Sequence, residues 1–346
     1  MKKKKHNRKL WIGIVVGVLL LGILGLFMLY QILFAPNGKQ LSEPIHITKN
    51  TDYQGVVKQI TELGAVKNIN TFNIVARLLK YDLHVKKGKY HFEEGESNLD
   101  MVRKLRRGQH YPINFTFNNV RTKEQLIEKI GDKFLFDVQD FAQLLQDQDF
   151  LQNYGCDTLT VLTLFLPDTY EFFYDLEAEE FFDRIYRLYR EFWTPSRKER
   201  AAELNLTPQE VSILASIVEE ENHREKEKGL IAGLYINRLQ KGMKLQADPT
   251  VKFALGDFSI KRILHRDLEV ESPYNTYLHF GLPPGPLRIP EKSTLDSVLY
   301  HQAHPYLFMC AKDDLSGYHN FARTDREHQN NAAKYHRALN RLKQRP

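Results

Sequence analysis

Residues 207–222, TPQEVSILASIVEEEN, and residues 229–251, GLIAGLYINRLQKGMKLQADPTV, decide how the chain is read: two apolar helices in succession, then a polar turn marked by proline. Thr207-Pro208-Gln209-Glu210 has the form of a capping box. Thr207 accepts from the third helical amide, Pro208 suits the first helical position and Glu210 reaches back. The helix that begins there carries Val211, Ile213, Leu214, Ala215, Ile217 and Val218, and at about 100° per residue its apolar stripe is centred near Leu214 and Ile217. Glu219 and Glu220 fall off that stripe, whereas Glu221 falls on it. A carboxyl on an apolar face loses hydration, so its charged form is disfavoured and its pKa rises. A proton-holding glutamate is what general-acid catalysis needs to protonate a poor leaving group, such as a sugar oxygen, near neutral pH. The bland alternative is a solvated glutamate in the last turn of a surface helix.

The residues after this helix favour the proton-holding glutamate. GLIAGLYINRL is so apolar that it must be buried, it is stopped by Gly242, and Asn237 and Arg238 near its end are candidates for buried pairing. MKLQADPT, residues 243–250, sets Gln246, Asp248 and Thr250 around a proline. SPYNTYLHFGLPPGP, residues 272–286, gathers Tyr274, Asn275, Thr276, Tyr277 and His279 in a loop stiffened by Pro283, Pro284 and Pro286. Tyrosine faces and amides suit a carbohydrate cleft, with apolar ring faces against aromatic planes and hydroxyls against amides. Gln246, Asp248, Tyr274, Asn275 and Tyr277 are therefore the candidate substrate-binding residues, each with a structural cap or a packed tyrosine as its alternative.

Working outward, Tyr306–Ala311 and Tyr318–Phe321 read as a strand pair. Residues 122–195 read as mainly helical, interrupted by FLPDTYEF at 165–172, whose proline argues for a loop or strand end. Before them lies a smaller alternation: strands at Ile45–Thr48, Gly88–Phe92 and Tyr111–Phe117, and helices at Tyr53–Leu63, Asn70–Tyr81 and Leu99–Arg107, the last with Asn98 as its cap. The expected class is α+β, with a small unit at 45–118 and a larger one at 119–346. Residues 35–44 are expected to be a polar linker.

Residues 11–34, WIGIVVGVLLLGILGLFMLYQILF, hold no charge and one amide, Gln31. About twenty helical residues cover the roughly 30 Å of a bilayer's hydrocarbon core, and Trp11 and Tyr30 sit where interfacial aromatics are expected. The stretch is longer than a signal peptide's apolar region and no small-x-small cleavage site succeeds it, so it reads as an uncleaved transmembrane anchor. Residues 1–10 form a basic cytoplasmic segment with Lys2, Lys3, Lys4, Lys5, Arg8 and Lys9, and the positive-inside rule puts everything beyond the anchor outside. Those six account for the net charge of +6. Without them 43 basic residues face 43 acidic ones, so a general nucleic-acid-binding face has no support. Cys156 and Cys310 lack metal-ligand spacing and imply no disulfide framework.

LASIVEEEN (214–222), LIAGLYINRLQKGMKLQADPTV (230–251), PYNTYLHFGLPPGP (273–286) and FLPDTYEF (165–172) resemble the endolytic murein transglycosylases of the MltG (YceG-like) family. The layout is similar over nearly the whole chain: an anchor, a small LysM-like unit carrying GKYHF (88–92), then a catalytic domain. The resemblance implies a lyase that cuts peptidoglycan glycan strands between N-acetylmuramic acid and N-acetylglucosamine, leaving 1,6-anhydro ends on nascent strands during wall assembly. It also implies the bacterial cytoplasmic membrane as location and cell wall synthases as possible partners. In that family the catalytic glutamate is the second acid of a Glu-x-Glu segment, here Glu221, which acts as acid and then as base. Two departures stand out: Asn222 replaces a small residue, and Arg288-Ile289-Pro290-Glu291 replaces an asparagine, proline and glycine pattern.

Three other readings compete. A retaining or inverting glycosidase needs a second carboxylate about 5–9.5 Å away, for which Asp248 and Glu219 are the motif candidates. A metal hydrolase would draw on His301, His304 and His319 with Asp313 or Asp314, but that spacing is not that of a zinc-protease helix, and neither a metal nor an organic cofactor is expected. A non-catalytic scaffold would use the LysM-like unit to hold glycan or a synthase.

Overall fold

The structure is a computed structural model that describes residues 2–343 apart from 111, 132, 223 and 261. The fold is mixed α+β and its contacts divide the chain into two units. One comprises residues 1–114 with 133–135 and 171–176, and the other residues 115–132, 136–170 and 177–346.

The first unit contains helix α1 (Lys2–Phe34), strand β1 (Ile45–Ile47), helices α2 (Tyr53–Glu62) and α3 (Ile69–Leu78), strand β2 (Gly88–Tyr90) and helix α4 (Asn98–Arg107). Within α1, Trp11–Phe34 is long and apolar enough to cross a membrane, with a mean hydropathy of 2.9 and no part of it buried. Strands β1 and β2 pair antiparallel, Ile45 opposite Tyr90 and Ile47 opposite Gly88. Gly88 has a φ of 144°, and a Cβ there would come within 2.8 Å of the His110 ring. The core beneath the pair is Ile45, Ile47, Val56, Ile60, Phe72, Val75, Tyr90, Phe92 and Val102. Each such burial contributes about 1.5–3 kcal/mol.

Three local details differ from the sequence expectation. The helix expected over 70–81 ends at Leu78, because Lys80 takes a left-handed φ of 55° and a separate 3-10 turn covers Tyr81–Leu83. Ser97, not Asn98, caps α4 by accepting from the Asp100 amide. Asn98 is turned inward, where its Nδ2 donates to Ile32 O at 2.9 Å and its Oδ1 accepts from Asn37 Nδ2 at 2.5 Å.

The third concerns residues 36–41, which do not form a loose tether. Asn37 is 5% exposed, donates to Asn68 O at 2.9 Å and accepts from Asn68 N at 2.7 Å. The amides of Asn37 and Gly38 both donate to Glu96 O, and that of Lys39 donates to Ala65 O. Ile32 and Leu33 pack against the core, and α1 lies against α3 and α4. A buried amide needs partners, and here the chain just past α1 finds them all within this unit.

In the second unit strand β3 (Pro112–Phe117), which begins in the first, is followed by helices α5 (Lys123–Ile130), α6 (Val138–Leu144) and α7 (Gln148–Gln152). Strand β4 (Asp168–Phe173), which takes up the DTYEF of FLPDTYEF and ends in the first unit, pairs with β3. Helices α8 (Ala178–Phe192), α9 (Pro195–Glu203), α10 (Pro208–Glu221), α11 (Glu225–Gln240), α12 (Asp248–Leu255) and α13 (Lys292–Leu299) come next. The chain closes with strands β5 (Phe308–Ala311) and β6 (His319–Ala322) and helix α14 (Asp325–Lys343). The hairpin pairs antiparallel, Cys310 opposite Asn320 and Ala311 opposite His319.

Helix α10 is the centre of this unit. Its capping box is formed as expected, Thr207 Oγ1 accepting from the Glu210 amide while Glu210 accepts from Thr207 N. It packs against α9, α11, α12 and α13, so every residue from Val211 to Glu219 is buried.

Candidate active site

Because α10 is enclosed on all sides, the single-stripe reading is corrected at its end. Glu219 is 4% exposed, held by Thr294 Oγ1 at 2.7 Å and by the Glu291 amide at 2.8 Å. Glu220 accepts from Arg121 Nη2 and Arg288 Nη1, both at 2.9 Å. These two acids are therefore structural, and neither lines the cleft that Glu221 faces. Arg288 also donates to Asn119 Oδ1. Residues 288–291 thus supply one partner to each acid, the Glu291 amide to Glu219 and Arg288 to Glu220.

Glu221 is the last residue of α10 and lines a cleft of about 270 Å³. Leu234, Tyr235 and Arg238 on α11 form one wall, Leu245, Gln246, Asp248 and Tyr277 a second, and Met309, Cys310, Ala311 and His319 of the terminal hairpin a third. Gly233 lets α11 come close to residues 301–304, because a Cβ there would lie 2.8 Å from Gln302 O.

Tyr235 Oη donates to Glu221 Oε1 at 2.6 Å. Burial pushes the Glu221 carboxyl up to about 7; the Tyr235 hydrogen bond opposes that shift and the charge of Asp248 adds to it. A bonded carboxyl that still titrates this high is dominated by desolvation. Burial, then the nearby Glu221 charge, likewise lifts Tyr235 well above its ordinary range, so it stays a hydroxyl donor.

Arg238 is 7% exposed and braces the second wall. Its Nε donates to Leu307 O at 2.6 Å, and its Nη1 to Leu245 O at 2.8 Å and Gln246 Oε1 at 3.2 Å. Gln246 itself has a left-handed φ of 49°. Tyr277 Oη donates to Asp248 Oδ1 at 2.6 Å, and burial, then this bond, raises the tyrosine's pKa.

Of the candidate residues, then, Glu221, Gln246, Asp248 and Tyr277 meet in one cleft, whereas Tyr274 and Asn275 do not line it. Asn275 is fully buried and ties its own loop together, donating to Leu268 O and Val270 O, each at 2.9 Å, and accepting from the Tyr277 amide. Tyr274 packs on Phe253 with ring centroids 4.6 Å apart. The prolyl loop after them is pinned to α10, where Leu287 N donates to Ser216 Oγ.

Sequence reasoning missed Tyr235 as the partner of Glu221, the wall formed by β5, and a carboxylate on α11. That carboxylate, Glu227, is 5% exposed and accepts from the His319 amide at 2.9 Å and from Asn222 Nδ2 at 2.6 Å. Asn222 thus bonds Glu227. Among the described residues no group of three or more His, Cys, Asp or Glu is placed to hold a metal ion.

A family model described as the YceG-like family matches residues 45–334. A relative named endolytic murein transglycosylase, from Bacillus subtilis (strain 168), is 28% identical over 323 residues, covering 86% of this chain and 89% of its own. One of the same name from Streptococcus pneumoniae serotype 2 (strain D39 / NCTC 7466) is 24% identical over 321 residues, covering 84% of this chain and 58% of its own. Among solved structures, the crystal structure of a yceG-like protein from Listeria monocytogenes aligns with a TM-score of 0.54 at 23% identity, covering 83% of this chain and 97% of that one. That likeness is one of fold.

Proposed function

The chain belongs to the YceG-like family, and from that membership and the chemistry of its cleft we propose that it is an endolytic lytic transglycosylase of peptidoglycan. It cuts the bond between N-acetylmuramic acid and N-acetylglucosamine within nascent glycan strands and leaves 1,6-anhydro ends. The observation that carries this reading is Glu221, a desolvated carboxyl with a pKa of about 7, bonded to Tyr235 and facing a cleft.

With Oε1 occupied by the Tyr235 hydroxyl, the proton of Glu221 rides on Oε2. Glu221 gives it to the glycosidic oxygen as the bond from C1 breaks, and positive charge develops on the sugar. The C6 hydroxyl of the same muramyl ring then closes on C1, and its proton passes to the Glu221 carboxylate, restoring the acid. No water is consumed. Tyr235 steadies the anion between the two transfers, as a donor aimed at developing charge does. Gln246, Asp248 and Tyr277 on the facing wall bind the sugar; Tyr274 and Asn275 support that wall.

Helix α1 anchors the protein in the cytoplasmic membrane with its basic end inside, putting the cleft on the outer side among nascent strands and the synthases that make them. The unit at 45–118 is read as LysM-like and holds glycan.

Digestion of purified peptidoglycan by the full chain in detergent, with mass analysis of the ends, tests the proposal. Ends lighter by one water than hydrolytic ends, absent with Glu221→Gln, are expected. Hydrolytic ends would instead favour a two-carboxylate glycosidase, the second reading, since Asp248 shares the cleft. No products from either protein would favour the scaffold.

A further inference from the structure

His319 has no part in the acid–base cycle of Glu221, yet it is one of the most firmly held groups in the cleft. It begins β6, its side chain is 16% exposed, and its Nδ1 lies 2.9 Å from Glu227 Oε2. Glu227 sits in the first turn of α11, where the helix dipole favours an anion, and it also accepts from the His319 amide and from Asn222. A carboxylate offers only acceptors, so a neutral His319 bonded to Glu227 carries its hydrogen on Nδ1. Its Nε2 is left with a lone pair, and among the described residues nothing is hydrogen-bonded to that atom. His319 lines the same cleft as Glu221.

A neutral imidazole locked in this tautomer is a fixed hydrogen-bond acceptor, and the proposed reaction has a donor in want of one. Before the sugar bond breaks, Glu221 holds its proton on Oε2 and receives Tyr235 on Oε1, so it is a weaker acceptor for the C6 hydroxyl than a free carboxylate. The other acceptors in the cleft are poorer choices. Asp248 and Gln246 are exposed at the rim, and each already receives a hydrogen bond, from Tyr277 and Arg238. A cleft of about 270 Å³ is small enough for a group lining it to touch the ring being cut.

We infer that His319, held by Glu227, which Asn222 bonds in turn, is a positioning residue for the ring-closing half of the reaction. Its Nε2 accepts from the C6 hydroxyl while Glu221 is still protonated, keeping O6 over C1. Once Glu221 has given its proton away, the hydroxyl hydrogen turns to the carboxylate. The O6–H bond breaks as the C1–O6 bond forms, the proton restores Glu221, and His319 is neutral at the end as at the start. The inference rests on the transglycosylase reading and gives His319 one measurable task, which is to keep water from reaching C1 before O6 does.

The test is the ratio of anhydro to hydrated ends made from purified peptidoglycan by the full chain and by His319→Ala, His319→Gln and Glu227→Gln. The parent should make anhydro ends only. His319→Ala should lose about tenfold in rate, the worth of about one hydrogen bond, and release a measurable share of hydrated ends. Glu227→Gln, which frees the imidazole to rotate, should shift the ratio the same way but less. His319→Gln, which keeps bulk and an acceptor, should recover part of the anhydro product even if the alanine variant folds poorly. His319→Ala that cuts at the parent's rate, or more slowly but with anhydro ends alone, overturns the inference. Hydrated ends from the parent itself would instead overturn the transglycosylase reading.

Discussion

Replacing Glu221 with glutamine should stabilise the protein, and by an amount that depends on pH. The carboxyl titrates at an ordinary 4.5 when solvated and at about 7 in the folded cleft. Between those values the folded state binds the proton and the unfolded state does not. The folded pKa is raised, so the stability tied to that proton is complete at low pH and is lost as pH rises through 7. Raising the carboxyl from 4.5 to about 7 corresponds to about 3 kcal/mol of burial cost above neutrality, falling below about 1 kcal/mol near pH 5. Glutamine carries no such cost and still offers Oε1 to Tyr235. In a Trp11→Phe background Trp193, buried in the same unit, is the sole tryptophan, so its fluorescence tracks unfolding of this unit. Glu221→Gln should melt above its parent by about 5–10 °C at pH 8 and by a small fraction of that at pH 5. An equal margin at both pH values, or a less stable glutamine variant at pH 8, would refute the desolvation argument.

The same geometry fixes other outcomes. Formation of anhydro ends by the parent should decline as pH rises through about 7, where Glu221 loses its proton. Tyr235→Phe removes the bond that favours the carboxylate and should move that decline to higher pH, as a pH–rate profile would reveal. Asp248→Asn removes a charge that raises the Glu221 pKa, so the decline should move to lower pH while the products stay anhydro, as the same profile with mass analysis of the ends would reveal. Asn37→Ala strands the partners of a buried amide and should cost about 2–3 kcal/mol. Hydrogen exchange at the Lys39 and Lys67 amides should then accelerate more than tenfold.

Much of this was legible in the sequence because it is local. Thr207 and Glu210 are three residues apart and cap one helix end. The position of Glu221 on that helix comes from counting turns, and the apolar run 229–239 could only be buried. Partnerships over longer distances were not legible. Tyr235 meets Glu221 from the next helix, and nothing in GLYINRL marks its hydroxyl as anything but the polar tip of a packed ring. His319 was weighed only as a metal ligand, because its partner Glu227 lies 92 residues away in the sequence. Glu219 and Glu220 were assigned to an outer face that a helix at the centre of a unit does not have. Asn275 is an amide of the type that binds sugars, and whether it faces a cleft or its own loop is decided by backbone geometry alone.

The knot around Asn37 has a mechanical meaning. A polypeptide leaving a bilayer through slack chain lets its outer part swing, and changes in lipid thickness are absorbed in the slack. Here the chain enters a hydrogen-bonded corner immediately past α1, with Ile32 and Leu33 already in the first unit's core. If α1 spans a bilayer as proposed, tilting it turns that unit with it, like a signpost whose board is welded to its pole. Its height above the lipid is then set by how deeply the pole is planted. Shortening the apolar span by one helical turn should therefore lower the unit by about 5.4 Å, a shift that a flexible tether would absorb.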